Sequence, residues 1–280
     1  GDTCEKTEKH LLEFLEKRKI SVLVVESTSR RQLYAMKEMA GVCALRLYMD
    51  SENYVLVKGY LIDLGYEMDQ TYSPYGERMH REDGFCVEIY DHLPFKTPCY
   101  HKQLVRLLEQ GERLGTYTYI WKLKEEDRLL WLFAQDAYLY ATDQLLVRHL
   151  MELYVLYRSL SGSFQMEDIW NRLKFLHVRD LCEKLLGLGY MWFGTKEERS
   201  KFISQEELEV YDVIENRILG YSKEGPETIP EALALIGSVL KAEERENRQA
   251  RRKLLYQRFK GKRKEIYSKF IDFWNQLCSR

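Results

Sequence analysis

The sequence predicts an α+β chain: a small α/β layer domain over residues 1–100, then an all-α helical domain over 101–280 with a basic C-terminal segment. Three observations carry this reading. Three short apolar runs alternate with helix-like stretches in the first part of the chain. Past residue 101 apolar residues recur at steps of about three and four, the helical spacing. Gly41, Gly65, Pro94 and Pro98 fall at the ends of elements, where chain breakers belong.

Residues 3–18 (TCEKTEKHLLEFLEKR) read as a helix, because His10, Leu11, Phe14 and Leu15 share one stripe among charges. The β-branched run ISVLVVE, 20–26, has strand length. Ser27, Thr28 and Ser29 offer caps for a helix over 30–39. Gly41 breaks that helix, and VCALRLYM, 42–49, follows as a second strand. Asp50 or Ser51 caps the next helix, over 52–64, which stops at Gly65. YEMDQTYSPYGER, 66–78, reads as loop or hairpin, and GFCVEIYDHL, 84–93, as a third strand. Further on, Leu146, Leu150, Leu153, Tyr157 and Leu160 form one helical stripe. Ile169, Leu173 and Leu176, then Leu181, Leu185 and Leu188, continue the pattern, punctuated by Gly162 and the Gly187–Gly189 pair. Other helices are expected over 125–141, 204–219, 230–250 and 251–277, with no strand after residue 101.

Composition narrows the function. Apolar residues make up 45% of 280, enough for sizeable cores. The net charge of −1 hides an asymmetry: residues 245–280 hold twelve Lys or Arg against three acids, so the rest is acidic. None of the six cysteines forms C-x-x-C, and no histidine lies at metal-finger spacing, so no metal-ligand set is expected. Cys43 and Cys86 sit in apolar runs, where free thiols are common. A reducing, cytoplasmic setting is the simplest reading. No apolar run approaches the roughly 20 residues that span a bilayer, and no signal-peptide pattern opens the chain.

The strongest charge feature is RENRQARRKLLYQRFKGKRK, 245–264, in which ten of twenty residues are basic. Arg251, Arg252, Lys262 and Arg263 could neutralise phosphates of a nucleotide or nucleic acid. A solvated helix face is the plainer reading. The aromatic and leucine-rich helices over 129–160 read as core packing. His149 and His177 lie among apolar neighbours without a nearby nucleophile or second ligand, so both are expected to be structural.

The strands are more informative, because residues two apart share a face. Cys43, Leu45, Leu47 and Met49 make one wholly apolar face, while Val42, Ala44, Arg46 and Tyr48 make the other. In the third strand Phe85, Val87 and Ile89 are the apolar face and Cys86, Glu88 and Tyr90 the other. Arg46 and Glu88 are thus charged residues on corresponding faces. An unpaired buried charge is costly, so they are expected to pair.

These motifs together resemble the uncharacterised nucleotidyltransferase-like proteins of the DNA polymerase β-type superfamily. VLVVES, 22–27, stands at that family's first strand, ALRLYM, 44–49, at its second, and CVEIYDHL, 86–93, at its third. DSENYVLVKGYLIDLGYE, 50–67, supplies the intervening helix with its Leu64-Gly65-Tyr66 end. RHLMELYVLYRSL and DIWNRLKFLHVRDLCEKLLGLGYMWFG resemble the family's helical region, so the likeness covers about residues 10–195. The resemblance implies a minimal nucleotidyltransferase domain followed by helices. It also implies Mg²⁺ and a nucleoside triphosphate, held by two aspartates of the second strand. Those two places hold Ala44 and Arg46, and the family's Lys-Gly pair falls at Glu26-Ser27. Glu88 keeps the third-strand carboxylate, while Tyr90 replaces a histidine.

Three readings follow. In the first, the fold has lost catalysis and binds or regulates, with no cofactor and with Arg46 and the basic segment facing a nucleotide, nucleic acid or protein partner. In the second, an active Mg²⁺-dependent nucleotidyltransferase uses relocated carboxylates, Asp50, Glu52 and Glu88. In the third, residues 245–264 form a nucleic-acid-binding module.

Overall fold

The computed structural model describes residues 3–34, 44–69, 76–93, 98–202 and 208–221. Two compact units divide the chain at residues 233 and 234, and every element described here belongs to the first.

Seven strands form one sheet in the order β3-β4-β5-β2-β1-β7-β6. Strand β1 (Val22–Glu26) pairs antiparallel with β2 (Ala44–Tyr48), which pairs parallel with β5 (Cys86–Tyr90). Strands β3 (Glu67–Met68) and β4 (Glu77–His80) form a hairpin that extends the sheet beside β5. On the other side, β7 (Ile120–Lys122) pairs parallel with β1 and antiparallel with β6 (Glu112–Arg113). The expectation of no strand past residue 101 is therefore corrected. Both late strands are two or three residues long, too short for an alternating pattern to show.

Helix α1 (Thr3–Lys17) and α2 (Ser51–Asp63) cover the apolar face of the sheet. Leu11, Leu12 and Leu15 of α1, with Val57 and Leu61 of α2, join Leu45, Leu47, Val87 and Ile89 in one core. Apolar burial of this kind contributes about 25 cal/mol per Å². The segment after β1 is a 3-10 turn over Thr28–Leu33, where a longer helix was expected. Ser27 caps it by accepting from the Ser29 N–H. The remainder of the expected helix lies outside the described residues, as do those over 230–250 and 251–277.

The helical part comprises α3 (Pro98–Glu109), α4 (Glu125–Ala141), α5 (Val147–Leu160), α6 (Met166–Phe175), α7 (Arg179–Phe193), α8 (Lys196–Phe202) and α9 (Leu208–Ile218). Helix α4 is its centre and is buried from Leu129 to Tyr140. Gly187 and Gly189 do not break a helix, as their spacing suggested. They lie inside α7, where a Cβ on Gly187 would stand 2.2 Å from the Tyr211 hydroxyl and one on Gly189 3.1 Å from the Leu150 carbonyl. They admit α9 and α5 to close contact. Cys86 and Cys182 are free and buried, but Cys4 is disulfide-bonded.

Candidate functional site

The face of the sheet opposite α1 and α2 carries a row of alternating charge. Strand register sets Arg78 of β4 beside Glu88 of β5, Glu88 beside Arg46 of β2, and Arg46 beside Glu26 of β1. The Arg46 Nε donates to Glu88 Oε2 at 2.5 Å, so the expected pair forms. Both side chains are largely shielded, Arg46 at 16% and Glu88 at 6% exposure. Arg78 also pairs with Asp69 of the hairpin at 3.5 Å.

Helices close this row from above. Arg128 of α4 donates to Glu26 at 2.7 Å, and Arg30 of the 3-10 turn donates to Glu152 of α5 at 2.5 Å. With Arg46–Glu88 inside the sheet, three arginine–glutamate pairs lie here, two of them across the join between sheet and helices. Burial pushes Glu88 up, but Arg46, Arg78 and Arg30 together outweigh it and leave the carboxyl below its ordinary value. Burial likewise opposes ionisation of Glu152, and Arg30, Arg46 and Arg128 overcome it. Arg30 and Arg128 are raised despite burial, by Glu152 and Glu26 respectively.

Two further groups sit deeper. Asp136 of α4 is fully buried, and neither carboxyl oxygen has a hydrogen-bond partner among the described residues. Burial, then the charge of Glu152, raises it well above the ordinary carboxylate range. His149 is structural, as expected: its Nδ1 accepts from the Leu146 N–H at 2.9 Å, closing the first turn of α5. Burial, then Arg148 and Arg46, lowers it to about 3, so it is neutral. His177 is not on a helix. It is exposed in the turn between α6 and α7, with φ at 59°.

The other residues marked by the sequence are held apart. The Asp50 carboxylate caps α2, accepting from the Asn53 N–H at 2.8 Å and its side-chain amide at 3.0 Å. Glu52 is exposed in the first turn of α2. The Ser27 hydroxyl donates to Glu8 at 2.6 Å. Arg251, Arg252, Lys262 and Arg263 lie outside the described residues.

A cavity of about 640 Å³ opens beside the ion pairs, lined by Leu33, Tyr34, Met151, Tyr154, Trp192 and Phe193 among others. A small void sharing Leu33, Tyr34 and Val155 with it reaches Arg30, Arg128 and Glu152. Sequence reasoning missed Arg30, Arg128, Asp136 and Glu152. The one available signal was acids and bases set inside apolar helical runs, as in LLWLFAQDAYLY, 129–140.

A family model described as uncharacterised nucleotidyltransferase matches residues 4–194. The chain belongs to that family. No curated protein and no solved structure matches it. The uncharacterised nucleotidyltransferase frame explains the strand–helix–strand order and its helical continuation.

The family's implied Mg²⁺ needs oxygen ligands. The resemblance sets the places of those ligands at Ala44, which has no ligand atom, and Arg46, whose charge repels a cation. Glu88 is already engaged by Arg46. Among the described residues no three acidic, histidine or cysteine side chains gather as a metal site. The donor set at this face does not fit a divalent ion.

Proposed function

We propose that this nucleotidyltransferase-family chain does not transfer nucleotides and works by binding. The carrying observation is the Arg46–Glu88 ion pair at 2.5 Å. Nucleotidyl transfer relies on divalent ions that neutralise developing phosphate charge and orient the attacking group. A guanidinium here brings one fixed positive charge, already neutralised by a carboxylate. The Glu26–Arg128 and Arg30–Glu152 pairs support the same reading, since they fill the join between sheet and helices with matched charges. The cavity over Tyr34, Tyr154 and Trp192 has the size and aromatic lining of a small-molecule site, which gives a binding role a place.

The test supplies the full chain with Mg²⁺ and each of ATP, CTP, GTP and UTP labelled at the α-phosphate, with protein, RNA and small-molecule acceptors. No label should enter any product. Mg²⁺-dependent incorporation that disappears in Glu88→Gln would overturn the proposal. Incorporation lost on Asp50→Ala as well would favour relocated carboxylates instead.

A further inference from the structure

Helix α2 is apolar on both sides. Val57 and Leu61 are fully buried against the sheet, yet Val55 is 69% exposed, Leu56 50% and Ile62 52%. Gly59 lies among these three, and a side chain built on it would meet nothing within 4 Å. Its backbone is not among the left-handed glycines, so no turn requires it. A mid-helix glycine weakens the helix relative to alanine. Nothing among the described residues accounts for that cost. A second backbone approaching closely from outside does. Clustered exposed apolar residues around such a point mark a contact surface.

Charge says what kind of partner fits. Glu52, Leu56, Gly59 and Asp63 follow one row at steps of four, three and four, so a carboxylate stands at each end of the apolar patch. The two are about 16 Å apart along the helix. Asp63 closes the helix at its C-terminal end, where the last turn holds no basic residue. The macrodipole disfavours a carboxylate there and favours a cation. Lys58 does not supply one, because it is held by Glu77 at 2.8 Å.

We infer that the outer face of α2 docks an amphipathic helix of a partner protein, whose apolar stripe is flanked by Lys or Arg at both ends. The surface lies on the opposite side of the sheet from the ion-pair row, so it does not depend on the absence of catalysis.

The test titrates the full chain against a fluorescent synthetic helix of roughly eighteen residues, with a Leu/Ala stripe and lysines at both ends, and against a twin carrying glutamates instead. Fluorescence anisotropy should show binding of the lysine peptide and at least about tenfold weaker binding of its twin. Gly59→Gln and Ile62→Lys should each weaken the lysine peptide by about tenfold or more. Melting temperatures no lower than that of the wild type would exclude unfolding as the cause. The inference fails if the lysine peptide does not bind, binds no better than its twin, or binds Ile62→Lys equally well. It also fails if the wild-type chain sediments as a dimer that Ile62→Lys dissolves, since a second copy would then occupy the face.

Discussion

Replacing Arg46 by leucine should cost the fold about 3 kcal/mol at neutral pH, and much less in acid. Glu88 is 5% exposed, and its carboxylate lies 2.5 Å from the Arg46 Nε. Removing one partner of a buried pair typically costs about 3–5 kcal/mol, because the other charge is left uncompensated. Arg78 remains beside Glu88 in the sheet register, which places the loss at the lower end. In the wild type Glu88 lies below its ordinary 4.5, so its contribution is complete above that pH and fades as the pH falls. Without Arg46, only Arg78 and Arg30 oppose the burial of Glu88, so its carboxyl should be pushed upward. The variant then suffers most when the carboxyl must ionise and least when it can keep its proton. The stability gap should therefore shrink between pH 7 and 4.5. Urea unfolding followed by tryptophan fluorescence at both pH values measures it. The double variant Arg46→Leu/Glu88→Leu should return to within about 1 kcal/mol of wild type. A single-variant loss below about 1 kcal/mol at pH 7, or a gap of equal size at both pH values, would refute Arg46 as the counter-ion of Glu88.

Other outcomes follow from the same geometry. His149 has a folded value of about 3 against an ordinary 6.5, so the unfolded chain takes up its proton first and stability falls as pH drops through that window. At pH 4.5 this amounts to roughly 2–3 kcal/mol. His149→Gln, which can still accept from the Leu146 N–H, should remove that part of the slope in pH-dependent melts. Asp50→Ala should lower stability by about 1 kcal/mol through loss of the α2 cap, measured by urea unfolding. Gly59→Ala should raise stability by about 0.5–1 kcal/mol, since its Cβ meets nothing, which a thermal melt would show. If residues 245–264 bind RNA, affinity should fall at least about tenfold between roughly 50 and 200 mM salt. Their deletion should abolish that binding in a filter or anisotropy assay.

The sheet's inner chemistry was legible where one local rule sufficed. Alternation in ALRLY and CVEIY separates the apolar face from the charged one, and the cost of burying lone charges pairs Arg46 with Glu88. The helix over 125–141 was legible because its apolar run is long. What stayed hidden depends on distant parts of the chain. Glu26 and Arg128 are 102 residues apart, and Arg30 and Glu152 are 122 apart, so no local spacing relates them. Gly187 read as punctuation because its reason, the Tyr211 ring, lies on another helix. The short strands at 112–113 and 120–122 exist only because β1 offers an edge to pair with.

The charge row on the sheet has a consequence for what position 46 can hold. Each arginine in it stands beside a carboxylate that depends on it. An acid at position 46 would stand between Glu26 and Glu88, three carboxylates abreast with Arg128 and Arg78 at the flanks. Like charges set side by side on neighbouring strands are destabilising. An acid there could be tolerated only if several neighbours changed with it. The row is therefore exchanged as a unit or not at all.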